Sequence, residues 1–90
     1  MNQKAVSITL FGRVQRVGFR YFVYRLAAEL GINGFVRNEP GVGVYIEAEG
    51  EAHTLDVFIE HCKMGPPHAD VTKCIVNPMP VKDFNGFVVR

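Results

Sequence analysis

An α+β sandwich, one sheet covered on a single face by two helices, is the fold this 90-residue sequence predicts. Three observations predict it. Two stretches repeat apolar residues at the helical period, five shorter ones read as strands, and Gly- or Pro-rich punctuation separates them. The order is strand, helix, strand, strand, helix, strand, with a short strand last. The length suits one domain, residues 1–90, closing one core.

Residues 5–11, "AVSITLF", set Val6, Ile8 and Leu10 against Ser7 and Thr9, the period of a half-buried strand. From Phe19 the period changes. Phe19, Phe22, Val23, Leu26, Ala27 and Leu30 form one helical stripe, with Arg20, Tyr24, Arg25 and Glu29 off it, and Gly31 ends the helix. Residues 34–38, "GFVRN", and 43–50, "GVYIEAEG", read as strands joined by the turn "EPGV". The second turns Val44, Ile46 and Ala48 to one side and Tyr45, Glu47 and Glu49 to the other, where the two glutamates are expected to be solvated. A second helix over residues 51–64 carries Leu55, Phe58, Ile59 and Cys62 on one stripe and stops at "GPP". The strands "DVTKCIVN" and "GFVVR" follow, with Pro78 and Pro80 between them; alternation in the former is imperfect. Together these make a ferredoxin-like split βαβ arrangement, a four- to five-stranded antiparallel sheet with two helices on one face. That fold by itself names no function.

Composition narrows the function classes. Hydrophobic residues make up 48% and charged residues 21%, as in ordinary soluble domains. Ten basic against nine acidic residues leave a net charge of +1, too little to grip nucleic acid through an overall field. An RNA-binding plait needs aromatics on its central strands, and "GVYIEAEG" supplies Tyr45 beside two repelling glutamates. The N-terminal stretch lacks the pattern of a signal peptide, and no apolar run is long enough to span a membrane. Cys62 and Cys74 are too far apart for a CxxC pair, so two reduced thiols in the cytoplasm are expected. His53 and His61 fall off a common helical face, and with His68 they read as surface histidines rather than metal ligands. Tyr21 and Tyr24 lie off the core stripe and read as half-exposed, with an acyl group as their one candidate contact. The uninterrupted pattern predicts a monomer.

Chemistry concentrates in "GRVQRVGFR", residues 12–20, where the first strand feeds the first helix. A Gly-containing loop at a helix start leaves backbone N–H groups without helical partners. If it curls, those groups converge into an anion nest, reinforced by the helix dipole. Arg20 can reach back over the nest with a fork suited to phosphate oxygens. The loop is not a Walker A motif: five residues separate Gly12 from Gly18, and Phe19-Arg20 stands where Lys-Ser/Thr would be required. Spacing alone leaves a second reading open, a tight turn followed by a solvated arginine.

"GRVQRVGFR" and "GFVRN", with "EAEG" and "GPPHADV" at matching distances, resemble the acylphosphatase family across nearly the whole chain. The resemblance implies hydrolysis of the mixed anhydride between a carboxylic acid and phosphoric acid, with no metal or organic cofactor. The substrate would be a small acyl phosphate, and inorganic phosphate would be both product and competing ligand. The family's arginine falls on Arg20, clamping the phosphoryl oxygens beside the amides of Gln15, Arg16, Val17, Gly18 and Phe19. Its asparagine falls on Asn38, which orients the attacking water.

Two positions depart from the family's pattern. The turn "NEPGVGV" replaces the usual Asp-Gly after the asparagine. Arg16 stands where the family usually keeps glycine, and a left-handed backbone there would cost about 1–2 kcal/mol. Its side chain is expected to point into solvent. The sharper alternatives are a second cation at the rim that strengthens anion capture, or a catalytically weakened anion-binding domain.

Overall fold

The computed structural model describes residues 2–41 and 43–90. Strand β1 spans Gln3–Arg13, helix α1 Phe19–Leu30, β2 Asn33–Glu39, β3 Gly43–Glu51, α2 Ala52–Met64, β4 Asp70–Met79 and β5 Phe87–Val89. Every expected element is present in the expected order. Val42, the last residue of the expected turn, lies outside the described residues.

The strands form one sheet in the order β4-β1-β3-β2-β5. The first four pair antiparallel. The fifth does not: β5 runs parallel to β2, so the sheet is mixed rather than wholly antiparallel. The route of the chain explains this. β4 ends beside Ala5 at the sheet end where β2 begins, and the following loop crosses to the far edge there. Gly34 at the start of β2 donates its N–H to the Gly86 carbonyl at 2.9 Å, so the strand that follows sets off in the direction of β2.

Both helices pack on one face, and the stripes read from the sequence meet there. Phe19, Val23 and Ala27 of α1 and Leu55, Phe58 and Cys62 of α2 are buried against Ile8, Leu10, Val36, Val44, Ile46 and Ala48 of the sheet. Gly31 closes α1 with φ 70°, the left-handed cap expected of it.

The helix-free face corrects one expectation. Glu49 is 3% exposed, not solvated, because β3 is the central strand and the loop after β4 folds over it. Its carboxylate accepts from the backbone N–H groups of Lys82 at 2.9 Å and Phe84 at 2.6 Å. Between those donors Asp83 is left-handed, at φ 57°. Glu47 is half-buried beside it, accepting from Tyr45 Oη at 2.7 Å and Lys82 Nζ at 3.2 Å. Burial alone would raise the Glu47 carboxyl, but its hydrogen bonds from Tyr45 and Lys82 outweigh that and hold it below the usual value.

The uneven alternation of β4 also has a local cause. The pairing with β1 slips by one residue between Phe11 and Gly12, leaving Thr72 as an extra residue in β4. β4 then continues through Pro78, beyond its expected end, as a strand at a sheet edge can.

Candidate active site

The slip in β4 lies at the entrance to the loop between β1 and α1. A Cβ on Gly12 would strike the Asp70 carbonyl and the Thr72 N–H of β4, so glycine is required where the two backbones touch. The chain then tightens, with Val14 N–H donating to the Gly12 carbonyl at 3.0 Å, and Val14 buries its side chain in the core. Gln15 reaches sideways: its Nε2 donates to the Gly43 carbonyl at 2.8 Å and, more weakly, to that of Glu39 at 3.4 Å. The loop is thereby tied to the β2–β3 hairpin.

Two residues of the loop are left-handed, Arg16 at φ 61° and Gly18 at φ 77°. Alternate left-handed residues make the backbone curl, the geometry that turns successive N–H groups inward. Gly18 is also the N-cap of α1; no side chain caps the helix there, and its first turn holds no acidic residue. The first bond of the helix joins Phe22 N–H to the Gly18 carbonyl at 3.0 Å, so the N–H groups before it have no acceptor within the helix. The buried ring of Phe19, edge-on to Phe22 at 6.0 Å, fixes where the helix begins.

Around this junction lies a hollow of about 330 Å³, lined by Val14, Arg16, Gly18, Phe19, Arg20, Tyr21, Asn38 and Val89. It brings Arg20 and Asn38 together with three of the five residues whose amides were expected at the site. Gln15 and Val17 stand outside its wall, and Gln15 lines a neighbouring depression with Gly41 and Gly43. Two of the lining residues are arginines and none is acidic. An anion entering the hollow meets positive charge and no opposing carboxylate in its wall.

Arg20 is held from an unexpected direction. Its Nη1 donates to the main-chain oxygen of Arg90 at 2.9 Å. Arg90 in turn donates its N–H to the Val36 carbonyl at 2.8 Å and lays its guanidinium over the Phe35 ring at 4.0 Å. The strand that carries Asn38 thus also fixes the residue that orients Arg20. One of the five N–H donors of the guanidinium is used this way, and the rest of the fork stays available. Sequence reading missed Val89 and Arg90, and no local signal marks them; the contact with Arg20 spans 70 positions.

The remaining candidates sit elsewhere. His53, His61 and His68 are each exposed, and among the described residues no three His, Cys, Asp or Glu side chains gather as a metal-ligand set. Both cysteines are free; burial raises the thiol pKa of Cys62, and of half-buried Cys74, so neither is poised as a thiolate nucleophile. Tyr21 is 64% exposed on the rim of the hollow, with the Arg25 guanidinium 5.9 Å from its ring, whereas Tyr24 is not part of the wall. Among the described residues no helix is long and apolar enough to cross a membrane.

Comparison with known proteins covers nearly the whole chain. The acylphosphatase family profile matches residues 6–89. The acylphosphatase of Archaeoglobus fulgidus is 47% identical over 85 residues, covering 94% of this chain and 96% of its own. A solved acylphosphatase from Coxiella burnetii superposes with a TM-score of 0.94 at 34% identity, over 99% of this chain and 94% of its own. The crystal structure of acylphosphatase from Bacillus subtilis gives 0.93 at 35% identity, over 97% and 98%.

Proposed function

The chain belongs to the acylphosphatase family and is an acylphosphatase, and from that premise we propose that residues 15–20 are its phosphate-binding loop and Arg20 and Asn38 its catalytic residues. One observation carries the reading: Arg20 and Asn38, from different elements, line a single hollow whose wall holds no acid. The alternative of a weakened anion-binding domain is not favoured, since relatives named acylphosphatase match nearly the full chain.

The chemistry asks for few parts. The leaving group is a carboxylate, so no general acid is needed; what remains is to hold the phosphoryl group, offset its charge and place a water in line. The loop amides, with those of Arg16, Gly18 and Phe19 at the wall of the hollow, and the guanidinium of Arg20 do the first two tasks without rearranging during the reaction. The Asn38 amide, both donor and acceptor, orients the water but is too weak a base to deprotonate it. The water oxygen bonds to phosphorus as the bridging P–O bond breaks, and that bond's electron pair leaves with the carboxylate. The water's proton passes to a non-bridging phosphoryl oxygen, giving carboxylate and inorganic phosphate.

Hydrolysis of benzoyl phosphate tests this division of labour. Arg20→Ala is expected to lower kcat/KM by about a hundred- to a thousandfold with a raised KM. Asn38→Ala is expected to lower kcat and leave KM nearly unchanged. Activity that survives both substitutions, or equal effects of both on KM, overturns the assignment.

Three further properties belong to this reading. Inorganic phosphate competes with substrate, measured as competitive inhibition that Arg20→Ala abolishes. The chain acts as a single-domain monomer over residues 1–90, checked by sedimentation at one chain's mass. Two unpaired thiols suit the reducing cytoplasm.

A further inference from the structure

Resting on that reading, we infer that Arg16 is a specificity-determining residue, favouring acyl phosphates whose acyl group carries a second anionic charge. The inference starts from backbone strain. Arg16 holds φ 61°, a left-handed conformation that strains an ordinary L-residue. Among the described residues the other left-handed non-glycine is Asp83, and aspartate is enriched in that region because its short polar side chain bonds locally. An arginine has no such compensation. Strain kept at a site is a reason to ask what the side chain does there.

Position and charge supply the answer. Arg16 lines the same hollow as Arg20 and Asn38, yet it is exposed where Arg20 is half-buried. The two guanidiniums are therefore an inner and an outer one. The inner is held by the main-chain oxygen of Arg90 and is the one that meets the phosphoryl group in the proposed reaction. The outer stands at the mouth, through which the acyl group must project. No carboxylate neutralises it: among the described residues the ion pairs are Arg37–Glu39, Lys63–Glu60 and Lys82–Glu47. Exposed Tyr21 on the same rim offers the acyl chain a flat apolar surface. A guanidinium at the mouth matches a carboxylate on the acyl chain with two parallel hydrogen bonds, and its charge draws such substrates in.

Succinyl phosphate and butanoyl phosphate make a matched pair, equal in chain length and different by one terminal carboxylate. Their kcat/KM values are measured for the wild type, Arg16→Gly and Arg16→Lys at low ionic strength. The wild type is expected to prefer succinyl phosphate by about three- to tenfold. Arg16→Gly should remove that preference, Arg16→Lys should keep most of it, and added salt should erode it in the wild type. The same succinyl-to-butanoyl ratio in wild type and Arg16→Gly overturns the inference, because Arg16 then serves the phosphoryl group or nothing. In that case butanoyl phosphate is still hydrolysed and the enzyme assignment stands. Failure of the wild type to hydrolyse butanoyl phosphate at all is the separate result that sinks the underlying reading.

Discussion

Two loops of this protein use one backbone device and put it to opposite ends. In residues 82–84, left-handed Asp83 turns the flanking N–H groups onto a single carboxylate, that of buried Glu49. In residues 16–18, left-handed Arg16 and Gly18 curl the chain at the start of α1, and the wall beside them holds no acid. The first loop is closed on an anion that the chain itself supplies. The second is open to one that arrives from outside. A curl of amides is thus not a function in itself; what decides is whether the fold has already filled it.

If that comparison is right, emptying the closed loop costs stability and not turnover. Glu49→Ala leaves the part-buried N–H groups of Lys82 and Phe84 without their acceptor, and the loss should be about 2 kcal/mol, read as a fall of about 10 °C in Tm. The kcat of the folded fraction should stay within about twofold. A collapse of kcat with Tm intact would break the comparison.

The open loop should respond the other way. Gly18 has nothing within 4 Å of an added Cβ, so Gly18→Ala tests backbone conformation alone. It should cost about 1–2 kcal/mol in denaturant unfolding and lower kcat/KM further than that strain would suggest, because the amides turn with it. Arg16→Gly should gain up to about 1 kcal/mol by relieving strain, less the entropy glycine brings to the unfolded chain. Asp83→Gly should gain almost nothing, since aspartate already tolerates the conformation.

The smallest effect is a pH dependence on the closed side. Glu47 has its folded pKa below the ordinary 4.5, so the unfolded chain binds its proton first as pH falls. Its contribution to stability is therefore complete above that value and disappears as pH drops through the folded one. Urea midpoints of wild type and Glu47→Gln should differ at neutral pH and converge under acid conditions.

What was legible in the sequence follows the range of the forces involved. α1 could be read because Phe19 to Leu30 repeat at one period and Gly31 stops them. Arg20 and Asn38 were legible through their surrounding motifs. Glu49 was not: alternation along β3 assigns it a face, and only the loop arriving from residues 80–86 decides whether that face is wet. The parallel setting of β5 depends on where the chain crosses the sheet, which no local period records. The uneven pattern of β4 was visible, but its cause lies in Thr72 and in Gly12 on the strand beside it. The hold of Arg90 on Arg20 joins residues 70 positions apart, and neither residue type announces it.

The edges of the sheet have a consequence for behaviour in a crowded solution. An open sheet ends in two rows of unpaired backbone groups, each a template on which another chain can add a strand. Here one edge, β5, is only three residues long. The other, β4, carries the extra residue Thr72 near one end and Pro78, with no N–H to offer, near the other. Neither edge presents a long uninterrupted ladder, so the protein keeps an open sheet without advertising it to its neighbours as a seed for aggregation.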